Sequence, residues 1–226
     1  MSAPVRLDVF SDYLCPWCYN AAVRLSEVEA EYGDRIRVHW RAFPLIPDEK
    51  PGRLATEKTQ EGRRRVAAEE PRARFAPPAV GIGLPASSMP ALIAAKCAER
   101  QSDAAFRRLH DGLFLAHFRD NLDIAQPDVL WRLARESGLD MARFEQDYAA
   151  GDPYQAALTD YAEGTAWFGV SAVPAVIFNE KVSLVGAVPV ERYRAILDWI
   201  LAGEPGGLVP IPADAAAAGA TQPDAT

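Results

Sequence analysis

The chain has 226 residues, of which 49% are apolar and 24% charged, an ordinary globular composition with material for one large core or two small ones. With 24 basic against 31 acidic residues the net charge is −7, which argues against nucleic-acid and anionic-membrane partners. No stretch reaches the ~18 apolar residues of a membrane span.

The opening segment, "MSAPVRLDVFSDYL", has neither a basic n-region nor an apolar h-region. No secretory signal is predicted, and the cytoplasm is the expected compartment. In "VRLDVF", Val5, Leu7 and Val9 share one face, as in a half-buried strand. "PWCYNAAVRLSEVEAEYG" is helical, with Ala21, Leu25, Val28 and Tyr32 on one stripe and Gly33 as the stop. "RIRVHWRAF" alternates again through Ile36, Val38, Trp40 and Ala42. Strand, helix and strand in this order suggest a parallel pair joined by a crossover.

From Pro44 to Phe168 strand signals nearly vanish. "RLATEKTQEGRRRVAAEE" reads as a helix. Its Arg63, Arg64 and Arg65, with Arg72 and Arg74 beyond, alternate with acidic residues and are assigned to a solvated face. "MPALIAAKCAERQ" carries Ala91, Ala94, Ala95 and Ala98 at helical spacing, with Cys97 as a small buried hydrophobe. "DAAFRRLHDGLFLAHFRD", "QPDVLWRLARESGLD", "MARFEQDYAAG" and "PYQAALTDYAEGTAWFG" extend the series. Pro127 and Gly138 mark a start and a stop. Phe106, Phe114, Phe118, Trp131, Phe144, Trp167 and Phe168 are assigned to the core of this helical bundle. "VPAVIFNEKVSLVG" is then a hairpin turning at "NEK". "PVERYRAILDWILAGE" is a last amphipathic helix that faces Tyr193, Ile196, Leu197 and Ile200 inward. The expected organisation is a split α/β core, residues 1–43 and 169–203, with a helical insertion over 44–168. A low-complexity tail over 204–226 is expected to be disordered.

Cys15 and Cys18 are the chemistry-bearing pair. A zinc site usually wants four ligands, and Cys97, His39, His110 and His117 offer no second paired spacing, so no metal is expected. A fixed disulfide is disfavoured in the cytoplasm. The redox reading fits the local structure. Cys15 falls where a strand turns into a helix, and free N–H groups with the positive helix end favour a thiolate there. Cys18 is one turn on, on the same face. Pro16 suits the first helical turn. Trp17 adds an apolar surface beside the sulfur, without the charge that would stabilise a thiolate further. Asp12 is expected to cap the loop or the helix start. Asp8 alternates with Leu7 and Val9 and belongs to the opposite strand face. It is a solvated or hydrogen-bonded strand residue or, alternatively, a buried acid that helps remove the Cys18 proton.

"SDYLCPWC" after a first strand, the helical insertion, and "FGVSAVPAVIFNEKVSLVGA" together resemble the thioredoxin-fold oxidoreductases of the DsbA family, in particular its cytoplasmic FrnE-like branch. The resemblance covers nearly all of the chain except the tail. It implies a thioredoxin-like α/β fold, β-α-β … β-β-α, with the insertion between the second and third core strands. It implies a Cys15/Cys18 dithiol-disulfide couple acting on protein or low-molecular-weight disulfides. It also implies a cis-proline at Pro174, whose neighbour Val173 offers its backbone to substrate. No resident cofactor is implied, and glutathione or a thioredoxin-type reductant would be the redox partner. A reducing cytoplasm favours the reductase or isomerase direction. Two alternatives stand beside this. Kappa-type glutathione transferases and 2-hydroxychromene-2-carboxylate isomerases look similar, but typically carry Ser where Cys15 stands. A non-enzymatic, chaperone-like protein would hold unfolded chains on the apolar rim around Trp17.

Overall fold

The computed structural model describes residues 3–206; from residue 207 onward the expected tail lies outside the described residues. A four-stranded sheet, ordered β2-β1-β3-β4, is formed by β1 (Val5–Ser11), β2 (Ile36–Ala42), β3 (Ala175–Phe178) and β4 (Val182–Val185). β1 and β2 are parallel, joined by α1 (Pro16–Tyr32), and the other neighbours are antiparallel. With α8 (Val190–Leu201) following β4, this is the thioredoxin-like order.

β1 is central, and all of it except Arg6 is buried, so both its faces must be covered. Val5, Leu7 and Val9 pack with Leu25 and Val28 of α1 and with Tyr193, Ile196 and Leu197 of α8. Phe10 packs on the other face with Phe43 and Ile177. There α7 (Asp152–Ala166) lies against β2, with its Gly164 against Phe10 of β1. Gly164 permits this approach, because a Cβ at that position would lie 2.6 Å from the Phe10 ring.

Between β2 and β3 the chain forms α2 (Glu57–Glu69), α3 (Met89–Glu99), α4 (Asp103–Phe118), α5 (Pro127–Glu136), α6 (Met141–Ala150) and α7. Local chemistry sets their ends. Ser102 caps α4 through Ala105 N at 3.2 Å, and Asp140 caps α6 through Arg143 N at 3.1 Å. Ala91, Ala94, Ala95 and Ala98 are all buried, and their small side chains let α4, α6 and α7 pack closely on α3. Leu109, Leu113, Phe114, Phe118, Leu130 and Phe144 fill the remaining core.

Two expectations are overturned here. Arg63 is not on a solvated face. It is buried, lies 5.0 Å from the centroid of the Phe118 ring and donates to Asn121 Oδ1 at 2.6 Å. Burial lowers its pKa to about 10. α2 buries Arg63 and Val66, so the aliphatic stem of Arg63 does part of the anchoring that an apolar side chain would do elsewhere. Arg64 and Arg65 do stay exposed. Trp167, assigned to the core, is 74% exposed, because the chain leaves α7 there; Phe168 turns inward instead, 5.9 Å from Phe10.

Candidate active site

Cys15 is the N-cap of α1, with extended backbone at φ −88° and ψ 114°. Its carbonyl accepts from Cys18 N at 3.1 Å and Tyr19 N at 3.3 Å. Pro16 occupies the first turn, where its missing N–H costs nothing. No side chain caps this helix end. The positive end of α1 is therefore free to act on the adjacent sulfur.

The two thiols are free and unequal. Cys15 is 5% exposed and Cys18 is fully buried. Burial, with the hydrogen bond to Cys15 adding to it, pushes the Cys18 pKa well above the usual thiol value. Cys15 Sγ approaches the Val173 carbonyl at 3.7 Å, across 158 positions of sequence. Pairing of Phe10 with Ala175 places the start of β3 beside the end of β1, and Val173 and Pro174 immediately precede β3. The Val173–Pro174 peptide is cis. Leu14, Trp17 and Val173 are partly buried against the insertion core and form an apolar surround.

Asp12 shapes the loop before Cys15, not the helix end. Its carboxylate accepts from Leu14 N at 2.7 Å, Leu45 N at 2.5 Å and Ser88 Oγ at 2.5 Å. Its carbonyl accepts from Cys15 N at 3.1 Å. Burial raises the Asp12 pKa, and the same hydrogen bonds oppose the rise. One carboxylate thus ties the active loop to the first turn of the insertion and to the start of α3.

Asp8 is not solvated. It is fully buried, 2.7 Å from Arg6 and 3.4 Å from Arg41. Arg41 also pairs with Asp160 at 2.6 Å and with Glu163. Asp8 is thus the hydrogen-bonded strand residue of the first reading; strand alternation puts it on the α7 face, whereas α1, which carries Cys18, covers the other face. The groups that bear on Cys18 are Cys15, the backbone of Asp12, Ser11 and, at longer range, Tyr193.

Sequence reasoning passed over Ser11, Ser88 and the pair Tyr13–His110. Tyr13 Oη and His110 Nδ1 are 2.9 Å apart and both residues are buried. Burial pushes the Tyr13 pKa up and lowers that of His110 to about 3. Only the "SDY" just before Cys15 hinted at such roles, and nothing local pairs Ser88 with a residue 76 positions away.

Residues 6–198 match the family model of the DSBA-like thioredoxin domain. The chain belongs to that family. Among solved structures, a candidate protein disulfide isomerase of Nitrosomonas europaea has a TM-score of 0.74 at 19% identity, covering 88% of this chain and 98% of that one. The cytosolic disulfide reductase DsbM of Pseudomonas aeruginosa, solved with GSH, has a TM-score of 0.66 at 21% identity, covering 87% and 99%. The ClpXP adapter protein SpxH of Halalkalibacterium halodurans is 26% identical over 222 residues, 89% of this chain and 69% of the relative. The DSBA-like fold is that of thiol-disulfide oxidoreductases. Among the described residues, no helix is long and apolar enough to cross a membrane.

Proposed function

We propose that the protein is a thiol-disulfide oxidoreductase of the cytoplasm, on the FrnE-like branch, acting on protein or low-molecular-weight disulfides. The supporting observation is the asymmetry of the pair. Cys15 sits at an uncapped helix start against the Val173 carbonyl, and Cys18 is sealed one turn on. Cys15 thiolate attacks a substrate disulfide, forming a mixed disulfide and expelling one substrate thiolate. Cys18 then attacks Cys15 Sγ, closes the Cys15–Cys18 disulfide and releases the second substrate sulfur. Glutathione or a thioredoxin-type protein returns the two electrons. No resident cofactor is required, because the sulfurs hold the electrons themselves. The backbone of Val173 and the surface of Trp17 receive an extended substrate segment beside Pro174. In a reducing compartment the pair rests as a dithiol and works as a reductase or isomerase.

The test is insulin reduction with a glutathione-recycling system. Cys15→Ser abolishes turnover, and Cys18→Ser accumulates a mixed disulfide at Cys15. Unchanged turnover in Cys15→Ser would end this reading. Partner binding indifferent to alkylation of both cysteines would favour instead a non-enzymatic role, of the adapter kind for which the Halalkalibacterium relative is named.

A further inference from the structure

Resolution requires Cys18 to lose its proton, yet Cys18 is fully buried. Asp8 is turned away and held by Arg6 and Arg41. Asp12 is occupied by Leu14, Leu45 and Ser88. Tyr193 of α8 is itself buried, and burial raises its pKa so that it keeps its proton. Ser11 is different: strand alternation puts it on the face of Leu7 and Val9, which α1 covers, its hydroxyl favours the Cys18 thiolate, and it lines a cavity of about 20 Å³ between β1, β2, α3 and α4.

That volume suffices for one water, provided two or more polar groups converge on it. They do. Tyr13, Lys96, Glu99 and His110 share the lining with Ser11. His110 uses Nδ1 on Tyr13, while its Nε2 is buried without a protein partner. Lys96 Nζ is held by Glu99 at 2.9 Å, Asp160 at 2.7 Å and the Trp40 carbonyl at 3.2 Å. The Glu99 side chain is 32% exposed and brings the cavity to the surface. Arg41 lines it from β2.

We infer that Ser11 and this cavity form the proton outlet of Cys18, an inference that rests on Cys18 being the resolving thiol. As Cys18 Sγ bonds to Cys15 Sγ, the Cys15–substrate S–S bond breaks and its electron pair leaves with the substrate sulfur. The Cys18 proton passes to Ser11 Oγ while the Ser11 hydroxyl proton passes to water in the cavity, and from there to Glu99 or solvent. Ser11 ends as a hydroxyl, and the oxidised pair carries no extra charge.

The experiment follows reduced full-length protein reacting with an aromatic disulfide that releases a coloured thiolate at each step. The first phase reports Cys15 attack and the second reports resolution by Cys18. Ser11→Ala is expected to leave the first phase intact and slow the second about tenfold or more near neutral pH, with recovery toward alkaline pH. Ser11→Thr restores the rate. Ala95→Leu, which fills the cavity and keeps Ser11, reproduces the slowing. In the unaltered protein the second phase is slower in heavy water. A second phase equal to wild type in both Ser11→Ala and Ala95→Leu overturns the inference. So does slowing by the same factor at every pH, which marks a packing role. Should the variants not fold, absence of the solvent isotope effect on the second phase overturns it alone. A missing first phase in the unaltered protein counts against the oxidoreductase reading itself.

Discussion

Lowering the pH from about 7 to about 5 is expected to destabilise the fold through two histidines that it keeps neutral. His110 and His117 are buried, and burial, with Arg107 beside the first and Arg63 beside the second, lowers both pKa values to about 3. In the unfolded chain each would titrate near roughly 6.5. The unfolded state thus binds more protons between these values. The stabilisation is complete above about 6.5 and is lost progressively as pH falls toward 3. Over the two-unit drop each histidine contributes a loss of about 2 kcal/mol, or about 4 kcal/mol for both. Asp12 and Asp111, whose pKa values burial raises, act in the opposite sense, so the decisive comparison is between wild type and His117→Gln. A glutamine can still accept from Arg63, whose Nη2 lies 3.1 Å from His117 Nε2. Urea unfolding at a series of pH values should show the wild-type stability falling more steeply, by about 1.4 kcal/mol per pH unit below about pH 6. Equal slopes, or a native imidazole that titrates near 6.5 by NMR, would refute the reasoning.

Gly164→Ala would ordinarily stabilise a helix by roughly 1 kcal/mol. Here the new Cβ meets the buried Phe10 ring at 2.6 Å, so a net loss of about 1–3 kcal/mol is expected in urea melts; a stabilised variant contradicts the close packing of α7. Asp12→Ala leaves Leu14 N, Leu45 N and Ser88 Oγ without their acceptor and should cost about 3 kcal/mol. A loss under about 1 kcal/mol would show that the loop finds other partners. Cys97 is buried, which pushes its pKa up to about 12. Mass spectrometry after brief alkylation should find Cys15 modified in native protein and Cys97 modified only after denaturation. Equal labelling of both in the native state would contradict this.

The order of elements could be read from the chain because each signal lies within one element. Alternation marked β1 and β2, a 3.6-residue stripe marked α1, and Pro16 with Gly33 marked the ends of that helix. The position of Cys15 at a helix start followed from the same local pattern. Burial is different, because it depends on what covers a face. Alternation placed Asp8 opposite Leu7 and Val9, but it could not reveal that α7 seals that face or that Arg41, 33 positions on, pairs with it. Arg63 resembled its exposed neighbours until Phe118 and His117 closed over it. Trp167 resembled a core aromatic, yet its place just past α7 leaves it in solvent.

The sequence by itself therefore determined the cysteine pair, its helix-start setting and the succession of strands and helices, since these depend on neighbours within a turn or two. The tertiary structure decided what surrounds the pair: it brings the Val173 carbonyl, which the family resemblance had only implied, to 3.7 Å from Cys15 Sγ, it sets Ser88 on Asp12 across 76 positions, and it opens a cavity joining Ser11 to α3 and α4. Those contacts are products of sheet register and helix packing, and no local periodicity encodes them.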